Sequence, residues 1–373
     1  MTTDKFRIDS HKYAFHPNHA AIVLEYLDNP TPATTEAYRN QHPLYIEVSP
    51  VGACNHRCTF CAVDYIGYKS NFLPFENYKR SIDSMVGRGT KSIMFAGEGE
   101  PMLHPEIGKM VKYTKVDGNI DTSFTTNGVH FNEAFAEEYL KYISWVKVSF
   151  NAGNKDIYSK IHRTKETDFD KVIQNLKQAV KIKKEQSLDT ALGFQTLLLP
   201  ENCNTIHTLC DIAKEIGLDY VVVKPYSQHK LSKTTMYNDI DYSQYLDLEG
   251  ELLKYNDESF NVVFRINTIN NWISQNQERY CKCYATPSSW AYIMADGDVY
   301  SCSAYLLDKR FKLGSIVEST FDEIWASDSR MNHSSYVLNE LDISECRVNC
   351  RMDQVNRYLD KIKNHKIPHM NFI

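Results

Sequence analysis

Short apolar, β-rich runs recur along the first 230 residues and alternate with longer segments that carry helical periodicity. Runs of this kind, bounded by turn-forming residues, are typical of buried strands. We predict six strands, at 44–49, 92–96, 121–125, 146–150, 192–199 and 219–224. Because a helix is expected after each strand, the pattern favours an α/β protein whose parallel sheet curves toward a barrel.

Three of the intervening segments give helix signals. The longest helix is expected from about residue 168, with a capping box between Thr167 and Asp170 at its start. Its apolar residues share one face: Val172, Ile173, Leu176, Ala179 and Val180. A second helix, beginning near Ile206, is expected to stop at Gly217, and a third is expected over 242–255.

The composition excludes several classes of protein. Of the 373 residues, 42% are apolar and 24% are charged, a balance that permits a packed core. The formal net charge of −5 argues against a nucleic-acid-binding protein with a broad basic surface. No apolar run approaches the roughly 18 residues of a membrane span, and the polar N-terminus lacks the apolar stretch of a secretory signal. We expect a soluble, cytoplasmic protein that binds neither nucleic acid nor a membrane.

The first group of cysteines follows the first predicted strand with the spacing C-x3-C-x2-C. Its members are Cys54, Cys58 and Cys61. In a chain without an export signal, such spacing indicates metal binding rather than disulfides. Three thiolates can hold three corners of a cubane iron–sulfur cluster and leave the fourth iron open. The alternative is zinc, with His56 or a distant residue as the fourth ligand.

Five segments with candidate chemistry each follow or end a predicted strand. They are the cysteine loop 54–61, the Gly-Glu-Gly-Glu-Pro segment 97–101, the pair 126–127, the segment 149–151 and the segment 224–226. In parallel α/β folds the active site lies at the carboxyl ends of the strands. We therefore expect all five segments to meet at one mouth of the barrel.

A second group of cysteines lies beyond residue 280. An Asp-Gly pair at 296–297, between two β-rich runs, predicts a hairpin. One cysteine before this hairpin, one after it and a later C-x3-C pair can close a site with four ligands. The predicted ligands are Cys283, Cys302, Cys346 and Cys350. Cys281 competes for the first position, and a structural zinc site is the alternative.

The cysteine loop, with Phe60 before its last cysteine, and the segment 97–101 after the second strand resemble the radical S-adenosylmethionine (radical SAM) superfamily. The resemblance covers about residues 44–230 and implies a partial (β/α)6, TIM-like barrel. It also implies a [4Fe-4S] cluster on Cys54, Cys58 and Cys61, with S-adenosylmethionine on the open iron. An electron, supplied by a donor such as flavodoxin or ferredoxin, then yields a 5′-deoxyadenosyl radical that abstracts hydrogen from a substrate.

The resemblance assigns cofactor contacts to residues at the mouth. The candidates are Phe60, Gly97, Glu98, Gly99, Glu100, Pro101, Thr126, Asn127, Ser149, Asn151 and Gln195. Many members have Gly-Gly-Glu-Pro after the second strand, whereas this chain has Glu98 where a glycine is common. The alternatives are structural: a turn at Asn127, caps at Ser149 and Asn151, and core packing for Phe60.

The C-terminal cysteines resemble the auxiliary-cluster domains called SPASM and, in shortened form, twitch. The element C-x13-G-x4-C, from Cys283 to Cys302, fits their opening pattern. Five cysteines instead of seven imply one auxiliary [4Fe-4S] cluster in a small α+β domain. We divide the chain into an N-terminal extension (1–43), the barrel (44–230), a connecting region (231–276) and the auxiliary domain (277–373).

The leading hypothesis for the reaction is dehydrogenation or epimerisation of a small polar metabolite: a sugar, a cyclitol or a nucleotide-linked compound. The short segment before the first strand and the single auxiliary cluster favour it over a peptide substrate. Lys224 is a candidate substrate-binding or catalytic group, and Cys281 a candidate hydrogen donor. One alternative is a maturase that modifies a peptide or protein side chain. Another is a non-catalytic zinc or iron–sulfur protein.

Overall fold

The computed structural model describes residues 5–274, 279–364 and 368–371. Within these residues one sheet contains ten strands: Tyr45–Val48 (β1), Ser92–Phe95 (β2), Asp121–Thr126 (β3), Ile143–Ser149 (β4), Ala191–Leu198 (β5), Tyr220–Pro225 (β6), Asn261–Phe264 (β7), Trp290–Ile293 (β8), Asp298–Tyr300 (β9) and Lys312–Ser315 (β10). Their order is β10-β9-β8-β1-β2-β3-β4-β5-β6-β7. Strands β1 to β7 are parallel to their neighbours, β8 runs parallel to β1, and β9 and β10 are antiparallel.

All six predicted strands are present, and the sheet extends beyond them at both edges. At one edge, Asn261–Phe264 pairs with β6 as a seventh parallel strand, within the segment that we had assigned to a connecting region. At the other edge, Trp290–Ile293 pairs with β1, and the predicted hairpin turns at Gly297, whose φ is +88°. The barrel and the C-terminal region therefore share one continuous sheet.

The described residues contain fourteen α-helices: Pro17–Asp28 (α1), Pro32–Asn40 (α2), Phe75–Met85 (α3), Ile107–Val116 (α4), Glu133–Tyr139 (α5), Lys155–His162 (α6), Thr167–Glu185 (α7), Ile206–Ile216 (α8), Leu248–Leu252 (α9), Ile266–Ile273 (α10), Thr286–Ser289 (α11), Phe321–Ala326 (α12), Asp328–Asn339 (α13) and Asp353–Asn364 (α14). Gly217 ends α8 with a φ of +85°, as predicted. None of these helices is long and apolar enough to cross a membrane.

Two helix predictions were wrong. The predicted capping box at the start of α7 does not form, because Thr167 is already helical and Glu166, at the N-cap, makes no side-chain capping bond. The single helix expected over 242–255 is divided into a 3-10 turn at Tyr242–Tyr245, the short α9 and a second 3-10 turn at Leu253–Tyr255.

Side chains alternate between the two faces of the sheet, and this alternation decides what the barrel encloses. Ile46 and Val48 of β1 are fully buried against the surrounding helices. Glu47, between them, therefore points into the lumen. The same alternation directs Lys147 of β4 and Lys224 of β6 inward, because their neighbours on both sides along each strand belong to the opposite face.

The lumen is closed at two places by segments from outside the predicted barrel. At the amino ends of the strands, the N-terminal Phe6 and Ile8 pack against a cluster that includes Tyr220. Beside β6 and β7, the loop 346–351 is anchored by two hydrogen bonds. Ser227 Oγ donates to the carbonyl of Val348 (2.9 Å), and Asn349 Nδ2 donates to the carbonyl of Thr268 (2.7 Å).

Candidate active site

The first cysteine loop leaves β1 and is held in place by its backbone. The amide of Thr59 donates to the carbonyl of Ile161 at 2.8 Å. Cys54, Cys58 and Cys61 lie close enough for their charges to interact. Burial, and then repulsion from the other two thiolates, raises the pKa of Cys58 well above its usual value. The structure therefore brings the three predicted cluster cysteines together.

The segment 97–101 packs directly against this loop. A side chain at Gly99 would lie 2.3 Å from the carbonyl oxygen of Ala53, so this close approach requires glycine. Gly97, with a φ of +116°, faces Ser49 and Tyr292, and an added Cβ would lie 2.4 Å from the Ser49 Cβ. The glycines thus allow the end of β2 to lie against the cysteine loop.

The two carboxylates of this segment are buried and bonded within the protein. Glu98 accepts from the amide of Ala295 at 2.8 Å, which ties β2 to the chain just after β8. Glu100 accepts from the Thr126 hydroxyl at 2.5 Å and from the Asn127 amide at 2.7 Å. Their carboxylates therefore join the ends of neighbouring strands.

The other predicted mouth residues fall into two kinds. The side chains of Asn127 and Asn151 form hydrogen bonds within the protein, whereas those of Ser149 and Gln195 form none with the described residues. Asn127 Nδ2 donates to Asn55 Oδ1 at 2.7 Å, and Asn151 Oδ1 accepts from the amide of Leu197 at 2.7 Å. Ser149 and Gln195, by contrast, are directly paired in the β4–β5 register. Both are half-buried on the lumen face, where they remain candidates for a cofactor contact.

His162 lies beside the first cysteine loop, a position that the sequence pattern did not predict. The amide of Asn151 donates to His162 Nε2 at 3.3 Å. The proton of the neutral ring therefore lies on Nδ1, which faces Cys58 Sγ at 3.4 Å and can donate to it. Burial lowers the pKa of His162 well below its usual value, so the ring is neutral. The Phe60 ring meets the same imidazole edge-on, with a centroid distance of 5.6 Å.

His56, which the zinc alternative needs as a ligand, has another partner. Its Nε2 lies 3.3 Å from a carboxylate oxygen of Asp168. His56, Cys58 and His162 nevertheless offer ligand atoms within 4.8 Å of one another, the spacing of a metal site. The other two loop cysteines lie outside that group, whereas a cubane cluster uses all three.

The four predicted C-terminal ligands also come together. Burial raises the pKa of Cys302, and the charges of Cys350, Cys283 and Cys346 raise it further. Cys283 is buried, whereas Cys281 is exposed, so Cys283 is the member of the pair that shares the enclosed space of this group.

Three polar side chains contact these cysteines, and none of the three was predicted. Asn356 Nδ2 donates to Cys283 Sγ at 3.4 Å. The Tyr305 hydroxyl lies 3.4 Å from Cys346 Sγ, and the Tyr280 hydroxyl lies 3.7 Å from Cys350 Sγ. Neighbours of metal ligands orient the ligands and adjust the properties of the metal. Tyr280, Tyr305 and Asn356 come from separate segments of the chain, so only the folded structure brings them to the cysteines.

The donor atoms at both groups fit iron–sulfur clusters. Burial raises the pKa of Cys54 and of Cys350 to about 12, so as free thiols both are protonated and unreactive. A bound metal reverses this preference, because its positive charge stabilises the thiolate. Three cysteines in the first group would leave one corner of a cubane cluster open, and four in the second would occupy every corner of theirs.

The lumen contains an ion pair that involves a residue next to the second cysteine group. Arg351 Nη2 lies 2.9 Å from a carboxylate oxygen of Glu47 on β1. The Arg351 guanidinium also lies over the rings of Tyr45 (5.8 Å) and Trp290 (5.9 Å). Arg351 follows the second cysteine pair directly, so it connects the loop that carries Cys346 and Cys350 to the strand that leads into the first loop.

Comparison with known proteins supports this arrangement. The family model of the radical SAM superfamily matches residues 48–209, and that of the SPASM iron–sulfur cluster-binding domain matches residues 257–351. The cysteine-type anaerobic sulfatase-maturating enzyme of Clostridium novyi (strain NT) is 26% identical over 335 residues, 81% of this chain and 86% of that protein. The GTP 3′,8-cyclase of Chlorobaculum tepidum is 27% identical over 194 residues, 51% of this chain and 56% of that protein.

Solved structures share the fold at lower identity. Streptococcus suis SuiB bound to the precursor peptide SuiA has a TM-score of 0.62 and 18% identity, covering 83% of this chain and 73% of that one. The structure of anSMEcpe with AdoMet and the Cp18Cys peptide has a TM-score of 0.58 and 18% identity, covering 84% and 88%. The cofactors of the two matched domains are S-adenosylmethionine, a radical SAM [4Fe-4S] cluster and an auxiliary [4Fe-4S] cluster. The chain is a member of the radical SAM superfamily and carries a C-terminal SPASM domain.

Proposed function

We propose that this radical SAM enzyme is a maturase that modifies a side chain of a peptide or protein. The observation that carries the proposal is the extent of the match to the sulfatase-maturating enzyme, which spans 81% of this chain and 86% of that protein. The GTP 3′,8-cyclase match covers only about half of the chain. The comparisons thus favour the maturase alternative over the small-metabolite hypothesis to which the sequence had led.

The residues have distinct proposed roles. Cys54, Cys58 and Cys61 hold the radical SAM cluster, and the four buried C-terminal cysteines hold the auxiliary cluster. When bound, these groups and S-adenosylmethionine supply hydrogen abstraction and an electron acceptor. Ser149 and Gln195 contact the cofactor from the lumen face. Glu100, Asn127 and Asn151 act differently, because their hydrogen bonds hold the strand ends in position.

The test is an anaerobic assay of the reconstituted holoenzyme with a reductant, S-adenosylmethionine and a peptide that carries the cysteine-type sulfatase sequence. We expect 5′-deoxyadenosine and a changed peptide mass, both absent from a Cys54→Ala variant. The matched control is Cys203→Ala, because Cys203 lies outside both cysteine groups. Formation of 5′-deoxyadenosine with no mass change in any peptide tested would contradict the maturase proposal.

A nucleotide-linked metabolite is the second candidate substrate. The match to the GTP 3′,8-cyclase and the cationic side chains of the lumen favour it. The same assay with GTP in place of the peptide tests it. Consumption of GTP that depends on Cys54 would support this candidate, and unchanged GTP beside modified peptide would remove it.

A further inference from the structure

The lumen holds more cationic than anionic side chains. Lys147 and Lys224 face it from β4 and β6, and Arg347 lies close enough to lower the pKa of Lys224. Two carboxylates lie near this space and each has an arginine partner: Glu47 pairs with Arg351, and Asp9 pairs with Arg265. Among the described residues, Lys147, Lys224 and Arg347 have no carboxylate at ion-pair distance.

This excess of positive charge works against folding. Burial lowers the pKa of Lys147 to about 7 and that of Lys224 well below its usual value. Repulsion from Arg265 and Arg351 lowers both pKa values further. Lys12 adds to the shift of Lys147, which Glu47 partly offsets, and Lys147 and Arg347 add to the shift of Lys224. An enclosed amine without a charged partner costs stability, so its presence needs another explanation.

The same space also contains a buried donor without an acceptor. Arg347 Nε has no hydrogen-bond partner among the described residues. Native proteins rarely leave buried donors unsatisfied. Cations without a carboxylate partner and this unpaired donor together indicate that an acceptor with negative charge belongs here.

These groups lie inside the barrel, below the mouth where the cofactor contacts are predicted. Lys147 lies two residues before Ser149 on the lumen face of β4, below the mouth. Arg347 follows Cys346 directly in the second cysteine group. Phe6 and Ile8 close the barrel below them. The two lysines therefore lie inside the barrel between its mouth and its closed end, and Arg347 lies beside the second cysteine group.

We propose that Lys147, Lys224 and Arg347 form a binding site for an anionic group of the substrate, a carboxylate or a phosphate ester. The proposal rests on the proposed function in placing the substrate in the lumen, but it does not require a peptide. The Arg347 guanidinium can meet two oxygens of such a group, and the lysines supply point charges. Binding of the anion then restores the protonated form of the lysines.

Anaerobic isothermal titration calorimetry of the holoprotein tests this site with inorganic phosphate and acetate as separate probes. We expect at least one probe to bind the wild type and to bind Lys147→Met or Lys224→Met at least about tenfold more weakly. The matched control, Lys254→Met, removes an exposed lysine and should bind like the wild type. At pH 8, binding should also take up protons, seen as a dependence of the heat on the buffer.

The two probes separate the sources of the anion. Preference for phosphate supports a nucleotide-linked substrate, and preference for acetate supports a carboxylate-bearing side chain. The site is disproved if neither probe binds the wild type, or if both lumen variants bind like the wild type. Lys224→Arg, which keeps the charge, should retain binding, so a folding defect in the methionine variants would not hide the answer. If no peptide is modified but the anion still binds, the maturase proposal is rejected and the anion-binding site is retained.

Discussion

The two cysteine groups of this protein are built in opposite ways. Cys54, Cys58 and Cys61 lie within eight residues, and backbone hydrogen bonds and close glycine contacts hold their loop. The second group collects its cysteines from separate segments between 283 and 350, where side chains such as Tyr305 and Asn356 contact them. The first is a local site that residue spacing can encode. The second exists only after the C-terminal region has joined the sheet.

One pairing of strands positions both groups. β8 lies parallel to β1, and the amide of Ser49, at the start of the first loop, donates to the carbonyl of Ile293 at 2.8 Å. The first loop therefore leaves the sheet beside the hairpin that leads to Cys302. Variants that lose one cysteine group and keep the other therefore test whether the two sites form independently.

The largest effect is expected when all three cysteines of the first loop are replaced by alanine. Cleavage of S-adenosylmethionine should fall to background, and iron should fall from about eight to about four atoms per chain. The measurement is iron and sulfide content with 5′-deoxyadenosine formation after anaerobic reconstitution. Loss of all iron would show that the second group depends on the first.

Cys283→Ala and Cys281→Ala form a matched pair at the second group. Cys283 is buried with the other cysteines and Cys281 is exposed, so only Cys283→Ala should lose about half of the iron. Alkylation of the native holoprotein should label Cys281 first. Equal iron loss in both variants would contradict the assignment of Cys283.

The buried lysines of the lumen should make stability depend on pH. The pKa of Lys147 is about 7 when folded, against an ordinary value of 10.5, so the unfolded chain binds more protons between these limits. The free energy of unfolding of the wild type should therefore rise with pH from about 7 to 10, relative to Lys147→Met. Chemical denaturation across this range measures the difference. The free energy of unfolding of the Lys254→Met control should change with pH as that of the wild type does. If the Lys147→Met variant also followed the wild type across this range, Lys147 would not be desolvated.

The smallest effect is expected from Tyr305→Phe, which removes a hydroxyl beside Cys346 but keeps the ring. Hydrogen bonds to cluster sulfurs shift reduction potentials, so the potential of the auxiliary cluster should fall by on the order of tens of millivolts. The potential of the first cluster should not change. Redox titration followed by EPR measures both potentials. The control is Tyr336→Phe, because the Tyr336 hydroxyl accepts a hydrogen bond from Arg310.

Several features of the site were predictable because they follow from local rules. Six strands, the turn at Gly297 and the helix end at Gly217 all follow from apolar runs and glycine positions. The strand Asn261–Phe264 was missed because its short apolar run resembled a connecting segment. The lumen lysines had a usable signal: Lys147 lies between Val146 and Val148, so strand alternation alone places it inside.

The sequence by itself determined the family, the spacing of the first three cysteines and the order of strands and helices, because these depend on residues close together along the chain. Only the tertiary structure decided between Cys281 and Cys283 as the buried member of the second group. It also decided the partners of Glu98 and Glu100, and the enclosure of unpaired cations beside Arg351. Those features depend on contacts between distant segments, which form when the C-terminal region extends the sheet and closes the side of the barrel.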